Sequence, residues 1–296
     1  MIAWIALAAG ALGVGLGVWG VVRGERNRER LRRLHREARG ARGVALASVK
    51  ANAADAAHRA LAEAGREPAL PVRFAAQETE DIALWELFDR SLGGRFLEVG
   101  AYDGVTLSVT YALEALGWEG ILVEALPEEA AACREHRPRS IIVEAALGER
   151  AGRTEFMVAE TRGGARTHSY ASVATRSADE ARAVASAATR KIEVEVRTLT
   201  GVLDDCLGEG ERLDVLSIDV EGGEESLLRG MDFQKHRPRA VLIEDNAGDH
   251  RLRTPLEDAG YTLAGRVYIN DLYIDAREHD LLERAGRVAY VDPIGG

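Results

Sequence analysis

Five short apolar runs in the sequence each lead to an acidic residue, and this recurrence limits the possible folds more than any other feature. Each run has the length and apolar content of a buried strand. Strands that are apolar throughout are typical of parallel sheets covered on both faces, and open sheets of this kind bind ligands at the carboxyl ends of their strands. The sequence therefore predicts an α/β protein. The runs cover residues 95–98, 120–124, 140–144, 213–219 and 239–244.

The first run enters a turn that contains two glycines, Glu98-Val-Gly100-Ala-Tyr-Asp-Gly104. Its Gly-x-x-x-Gly spacing differs from the Gly-x-Gly-x-x-Gly of dinucleotide sites, which place backbone N–H groups against a pyrophosphate. S-adenosylmethionine has no phosphate and carries a cationic sulfonium and ammonium, which an acidic Glu98 suits. Gly100 and Gly104 would let the backbone approach such a ligand closely. The turn resembles a methyltransferase cofactor turn, and the same spacing also occurs in simple tight βα connections.

The next two runs supply further candidate cofactor contacts. Glu124 ends the second run about 20 residues after the turn, where nucleoside-binding α/β folds hold ribose hydroxyls. Alternatively, Glu124 only caps the helix expected after Pro127, because acidic residues favour helix N-termini. The third run leads to small and apolar residues, of which Ala146 is predicted to border an adenine ring.

The fourth run delivers an acidic cluster to the same edge of the sheet. Asp219 and Glu221 follow the predicted strand and are expected to contact the cofactor. Glu224 and Glu225 are better explained as first-turn residues that complement the dipole of the next helix.

With this segment in view, the chain resembles the FkbM family of methyltransferases, whose pattern has Asp-x-Glu-Gly-x-Glu followed by Leu-x-Gly. The pattern stands here as Asp-Val-Glu-Gly-Gly-Glu at 219–224 and Leu-Arg-Gly at 228–230. The similarity runs from about residue 77 to near residue 273. It implies a Rossmann-like class I methyltransferase fold, with a seven-stranded, mostly parallel sheet flanked by helices, and S-adenosylmethionine as cofactor. One departure from the family pattern, an Ala-, Ser- and Thr-rich insertion at 165–190, leaves the acceptor open.

The resemblance also implies a chemistry, because FkbM-like enzymes act largely on hydroxyls of sugars and polyketides. Methyl transfer releases a neutral thioether, so at most one base is needed, and the candidates are His168, Asp219 and Glu244. His168 lies in the insertion, which is either a lid over the cofactor or an ordinary exposed loop. Asp219, Asp245 and Asn246 offer oxygen ligands that suit Mg²⁺, and this metal remains a possibility.

Residue periodicity predicts several elements around these motifs. Residues 106–116 are predicted to form a helix. The flanks of the insertion, 152–158 and 192–197, alternate like the strands of a hairpin. Residues 261–274 are predicted to form the terminal strand pair that closes the sheet.

Charge and cysteine content exclude some classes of function. The formal net charge of −10 argues against broad contact with nucleic acid, which needs a basic face. Cys133 and Cys206 lack metal-ligand spacing and are interpreted as reduced thiols, which fits a cytosolic compartment.

The N-terminal part differs from the rest in composition. Residues 2–22 carry no charge and are long enough to cross a bilayer core of about 30 Å. A cleaved signal peptide competes with this interpretation, but no basic residue precedes the run. Arginines recur through 23–42, and the positive-inside tendency places this flank, and the catalytic domain after it, in the cytoplasm. The arginines either attract anionic lipid head groups or only set the topology.

The predicted organisation is a transmembrane helix at 1–22, a basic juxtamembrane segment and helical linker at 23–75, and a methyltransferase domain at 76–296. The predicted function is that of a single-pass, membrane-anchored O-methyltransferase. Its acceptor would be a small molecule, sugar, glycan or lipid-linked compound at the cytoplasmic membrane face. A catalytically inactive, membrane-tethered binding module is the main alternative. A nicotinamide-dependent oxidoreductase is disfavoured by the glycine spacing of the turn.

Overall fold

The computed structural model describes residues 40–160, 188–220, 223–245, 248 and 250–292. Within these ranges, the helices are too short or too polar to cross a membrane. The predicted transmembrane segment at 1–22 lies outside the described residues, as do His168, Glu221 and Asn246. The chain divides into two compact units, Met1–Ala51 and Asn52–Gly296.

Seven strands form the main sheet, as predicted. Five of them run parallel, and the terminal pair is antiparallel to its neighbours. The parallel strands are β1 (Arg95–Val99), β2 (Glu119–Glu124), β3 (Ile141–Glu144), β7 (Val215–Ile218) and β8 (Ala240–Glu244). The terminal pair is β9 (Tyr261–Val267) and β10 (Asn270–Asp275). Their order across the sheet is β3-β2-β1-β7-β8-β10-β9.

The order of the strands creates a crevice at the centre of the sheet. From β1 the chain continues to β2 on one side, and it returns later to place β7 on the other side. In an open α/β sheet, a cleft forms at the carboxyl ends of the strands where the chain switches from building one side of the sheet to building the other. The residues after β1 and β7 therefore border this cleft.

Burial on both faces explains why the central strands are continuously apolar. Leu97 and Val99 pack in a cluster that includes Leu199 and Val202, whereas Phe96, which precedes Leu97, points to the opposite face. All four residues of β7 and all five of β8 are buried. A central strand of this kind cannot alternate with polar residues without burying them.

Three shorter strands form a second sheet in the order β4-β6-β5. The predicted hairpin is confirmed, because β5 (Gly152–Glu160) pairs antiparallel with β6 (Ala188–Arg197) over their full lengths. The remaining strand, β4 (Ala146–Leu147), pairs parallel with the end of β6.

The described helices flank the sheet or precede it. The predicted helix at 106–116 is wrong in its first half, since helical structure begins only at Tyr111 and the preceding residues form a loop. The helices are α1 (40–63), α2 (Glu80–Leu87), α3 (Tyr111–Ala115), α4 (Pro127–His136), α5 (Leu199–Cys206), α6 (Glu224–Arg229), α7 (Arg253–Asp258) and α8 (His279–Ala285).

Candidate functional site

A cavity of about 530 Å³ lies at the carboxyl ends of the central strands. The main sheet, the loop after β1 and the second sheet all contribute to its wall. This volume falls in the range that holds a small-molecule cofactor or substrate. The predicted site residues that line it are Glu98, Gly100, Glu124, Ala146 and Asp219.

The glycine turn is required first of all by the protein's own packing. Gly100 has a φ of +81°, and a Cβ added there would lie 1.8 Å from the backbone oxygen of Asp219. Gly104 has a φ of +78°, and its Cβ would lie 2.9 Å from the Cγ of Arg137. The loop after β1 can therefore approach the end of β7 only if position 100 has no side chain. Gly104 itself is not among the described residues that line the cavity.

Glu98 lies at the cavity wall, but its hydrogen bonds go to the protein. Its carboxylate accepts bonds from the Ser108 hydroxyl at 2.8 Å, the Thr110 hydroxyl at 2.6 Å and the Val109 N–H at 3.0 Å. These bonds hold residues 108–110 against the end of β1, which is why the helix starts late. Glu98 thus contributes negative charge to the cavity and fixes the loop that forms one of its sides.

Glu124 combines the two roles between which the sequence left a choice. It lines the cavity, and its two oxygens accept hydrogen bonds from the N–H groups of Tyr102 and Leu126, both at 2.9 Å. Leu126 immediately precedes helix α4, so the carboxylate does stabilise the helix start. Burial of Glu124 raises its pKa to about 7, and the two N–H bonds offset this only in part.

Asp219 follows β7 and faces the cavity, where its carboxyl group is hydrogen-bonded to that of Glu244 at the end of β8. Asp219 as a residue is exposed and lines the cavity, and the surrounding protein nevertheless desolvates its carboxylate. This desolvation raises its pKa to about 6. The bond with Glu244 opposes the shift, and the charges of Glu224 and Glu98 add to it. A carboxylate with this pKa is ionised at neutral pH and is a better proton acceptor than an ordinary Asp.

Of the three predicted magnesium ligands, Asn246 lies outside the described residues, and Asp219 and Asp245 belong to different surroundings. Asp245 is buried, and its oxygens accept bonds from the N–H groups of Gly248 at 3.0 Å and His250 at 2.8 Å. It belongs to a cluster with His250, Asp271 and Arg266, in which Arg266 already supplies a cation 2.9 Å from Asp271. Asp245 is absent from the described lining of the cavity, whereas Asp219 faces it. Alternation along the chain separates the two neighbours, because the Glu244 side chain meets that of Asp219 and Asp245 points the opposite way; neither is among the described residues that line the cavity.

Several lining residues carry no signal in the sequence. Asn270 pairs with Glu244 across β10 and β8, which places both side chains on the same face of the sheet. Thr154 and Phe156 reach the cavity from the second sheet. Glu80, the first residue of helix α2, lines the cavity although its side chain is almost completely buried. Only tertiary contacts place these residues at the site: strand pairing for Asn270, Thr154 and Phe156, and the packing of helix α2 for Glu80.

Among solved structures, the fold is similar to three methyltransferases at 12% identity each. A TehB-like SAM-dependent methyltransferase from Corynebacterium glutamicum matches over 76% of this chain and 96% of its own, with a TM-score of 0.32. A putative RNA methyltransferase from Pyrococcus horikoshii matches over 68% and 83%, with a TM-score of 0.36. A precorrin-6y C5,15-methyltransferase from Geobacter metallireducens matches over 66% and 77%, with a TM-score of 0.33.

No curated protein matches the chain. The family assignment depends instead on the model of the methyltransferase FkbM domain, which matches residues 98–263. This match covers more than half of the chain and includes the cofactor turn, Glu124 and the strands that carry Asp219 and Glu244. The chain therefore belongs to the FkbM family of S-adenosylmethionine-dependent methyltransferases.

Proposed function

We propose that this protein is a membrane-anchored methyltransferase that transfers a methyl group from S-adenosylmethionine to a hydroxyl oxygen. The acceptor is a sugar, glycan or lipid-linked compound near the cytoplasmic face of the membrane. The observation that carries the proposal is that one cavity is bordered by the predicted cofactor residues Gly100 and Glu124 and by Asp219, whose carboxyl group is hydrogen-bonded to that of Glu244.

The charge of the cavity fits this cofactor. Among its described lining residues, the side chains that can carry a charge near neutral pH are all carboxyl groups: Glu80, Glu98, Glu124 and Asp219. A cavity walled by one sign of charge attracts ligands of the opposite sign. A sulfonium and an ammonium match it, whereas the pyrophosphate of a dinucleotide would be repelled.

Three groups of residues divide the work of the reaction. When bound, S-adenosylmethionine supplies a methyl group on a cationic sulfur and leaves as a neutral thioether. Glu124 would hold ribose hydroxyls, and Ala145 and Ala146 would border the adenine. Asp219 would accept the proton of the acceptor hydroxyl, with Glu244 orienting its carboxylate. Most of the rate enhancement would come from holding the reacting groups in line, since positioning of this kind contributes about 7 to 11 kcal/mol.

The membrane part of the proposal is supported by the sequence. The uncharged segment at 2–22 and the arginine-rich segment at 23–42 favour a single span with the catalytic domain in the cytoplasm, where the cofactor is made. Alkaline carbonate extraction of membranes would test the anchor, because an integral span stays in the pellet. Protease treatment of sealed vesicles would test the orientation.

Calorimetric titration of the full chain in mild detergent tests the cofactor. We expect S-adenosylmethionine to bind and NADH not to bind, and we expect the substitution Glu124→Ala to weaken the first interaction. Glu119→Ala, an exposed residue on the same strand, is the matched control and should bind as the wild type does.

Transfer of a trideuterated methyl group tests the reaction. The full chain is incubated with labelled cofactor and a lipid and glycan extract of the source cells, and the products are analysed by mass spectrometry and NMR. A methyl ether in the extract would support O-methylation. Cofactor binding without any transfer would favour the inactive tethered module, and a labelled nitrogen or carbon would overturn the hydroxyl acceptor.

A further inference from the structure

One arginine that the sequence does not mark connects most of the loop after β1. Arg137 follows helix α4, and its side chain is completely buried. Its guanidinium donates to the Gly104 carbonyl at 2.9 Å, the Ser108 hydroxyl at 3.3 Å and the Thr110 hydroxyl at 3.2 Å. A single side chain thus holds the beginning, middle and end of the segment 104–110.

The same guanidinium balances the negative charge behind the cavity. Its Nε donates to the fully buried carboxylate of Glu114 at 2.6 Å, and a terminal nitrogen lies 3.9 Å from Glu98. The rings of Phe96 and Tyr111 lie within about 6 Å of its central carbon and restrict where it can move. A buried charge is tolerated only with such complete pairing, and a lysine cannot reproduce five donors in a planar arrangement.

The loop that Arg137 holds forms one side of the cavity. Residues 106–109 line it, and Leu107 has a φ of +60° with its side chain more than half exposed. Positive φ is unfavourable for a leucine and persists only where surrounding contacts impose it. The bonds of Arg137 to Gly104 and Ser108, and those of Glu98 to residues 108–110, fix the backbone on both sides of Leu107. Arg137 itself is not among the described residues that line the cavity.

We propose that Arg137 is the positioning residue of the cofactor site, holding residues 104–110 and Glu98 in the arrangement that binds S-adenosylmethionine. This inference rests on the proposed function, because it takes the cavity to be the cofactor site. Arg137 acts through the loop and does not touch the ligand. Preorganisation of this kind contributes to affinity because the ordering of the loop is completed before the ligand binds.

The test compares two substitutions of the same type, one at the buried Arg137 and one at the partly buried Arg237. Arg137→Lys disturbs the proposed positioning network. Arg237→Lys is the control, because Arg237 also pairs with a carboxylate, Asp275 at 2.9 Å, and also lies against a tyrosine ring, that of Tyr261, but is not part of the described lining. Both variants of the full chain are titrated with S-adenosylmethionine at a temperature below the onset of their thermal unfolding.

We expect Arg137→Lys to raise the dissociation constant about tenfold or more and Arg237→Lys to leave it nearly unchanged, although both lose thermal stability. A merely structural role for Arg137 would lower stability without changing the affinity of the folded protein. Equal dissociation constants for Arg137→Lys and the wild type would overturn the inference while the proposed function stands. A folded wild type that does not bind S-adenosylmethionine would instead overturn the proposed function and, with it, the inference.

A second variant covers the case in which Arg137→Lys does not fold. Thr110→Val removes a fully buried hydroxyl that donates to Glu98 and accepts from Arg137, while the shape of the side chain stays nearly the same. Thr110 is outside the described cavity lining, so a loss of affinity in this variant has to pass through the network. We expect a weaker dissociation constant, and an unchanged one in a folded sample would contradict the inference.

Discussion

Glu124 provides a quantitative test of how the site is built, because a buried carboxylate makes stability depend on pH in a defined direction. Desolvation raises its pKa from the usual 4.5 to about 7. The folded protein therefore holds a proton at pH 5 to 6 that the unfolded chain would release. The stability that this proton contributes is fully present below pH 4.5 and is lost as the pH rises through about 7.

The size of the effect follows from the pKa difference. Each pH unit between the two values corresponds to about 1.4 kcal/mol, so the carboxylate of Glu124 destabilises the folded state by about 3 kcal/mol at pH 8.5 relative to its protonated form. In Glu124→Gln the side chain is neutral at every pH. The free energy of unfolding of the variant minus that of the wild type should therefore increase by about 3 kcal/mol between pH 4.5 and pH 8.5.

The measurement is urea unfolding of both proteins at several pH values, followed by the fluorescence of the buried Trp85 and Trp118. The difference between the two proteins removes the contribution of all other titrating groups. Glu124→Gln also removes one acceptor for the N–H of Tyr102 or Leu126. This loss shifts the difference in free energy of unfolding by about 1 to 3 kcal/mol at every pH and does not change its dependence on pH. A difference that stays constant from pH 4.5 to 8.5 would refute the assignment of a desolvated carboxylate at position 124. Glu119→Gln, on an exposed part of the same strand, should change stability by less than about 0.5 kcal/mol.

Three further predictions concern catalysis, packing and metal. Asp219→Asn should lower the rate constant of transfer about 10² to 10⁴-fold. The kcat/KM of the wild type, measured by release of S-adenosylhomocysteine, should rise with pH through about 6 as the carboxylate of Asp219 forms. A wild-type profile that is flat between pH 5 and 7 would contradict the role of Asp219 as base. Gly100→Ala places a Cβ 1.8 Å from the backbone oxygen of Asp219 and should destabilise the fold by about 3 kcal/mol or more, so an unchanged midpoint of thermal unfolding would contradict the geometry of the turn. Chelation with EDTA should leave transfer unchanged, because the oxygens of Asp245 accept backbone N–H groups and Asp245 is not among the described residues that line the cavity with Asp219. A loss of transfer that Mg²⁺ restores would argue for a metal at the site.

The limits of the sequence are clearest at the end of β8. The apolar run at 239–243 predicts a strand and its polar end, but three consecutive polar residues follow, and the sequence alone does not say which of them faces the site. The register decides it, because Glu244 lies opposite Asn270 of β10 and its side chain shares a hydrogen bond with Asp219. Asp245, one residue later, belongs to the Arg266 cluster. A strand reverses the direction of its side chains at each residue, so a shift of one position exchanges the two roles.

The loop after β1 shows the same limit over a longer distance. Residues 106–116 have the composition of a helix, yet 106–110 form a loop because Glu98 and Arg137 bind their polar groups. Glu98 lies only about ten residues away and has a visible motif. Arg137 lies 33 residues from Gly104, and a lone arginine after a helix carries no local signal.

The sequence by itself determined the class of fold, the strands with carboxylates at their ends, the glycine turn after the first strand and the family, since each depends on local periodicity or on residues close together in the chain. Only the tertiary structure decided that Gly100 is needed for contact with the end of β7, that Asp219 pairs with Glu244 and that a buried arginine holds the loop after β1. The physical reason is that these contacts join strands and loops far apart in sequence. Their partners are selected by strand order, register and the pairing of buried charges, none of which a local pattern contains.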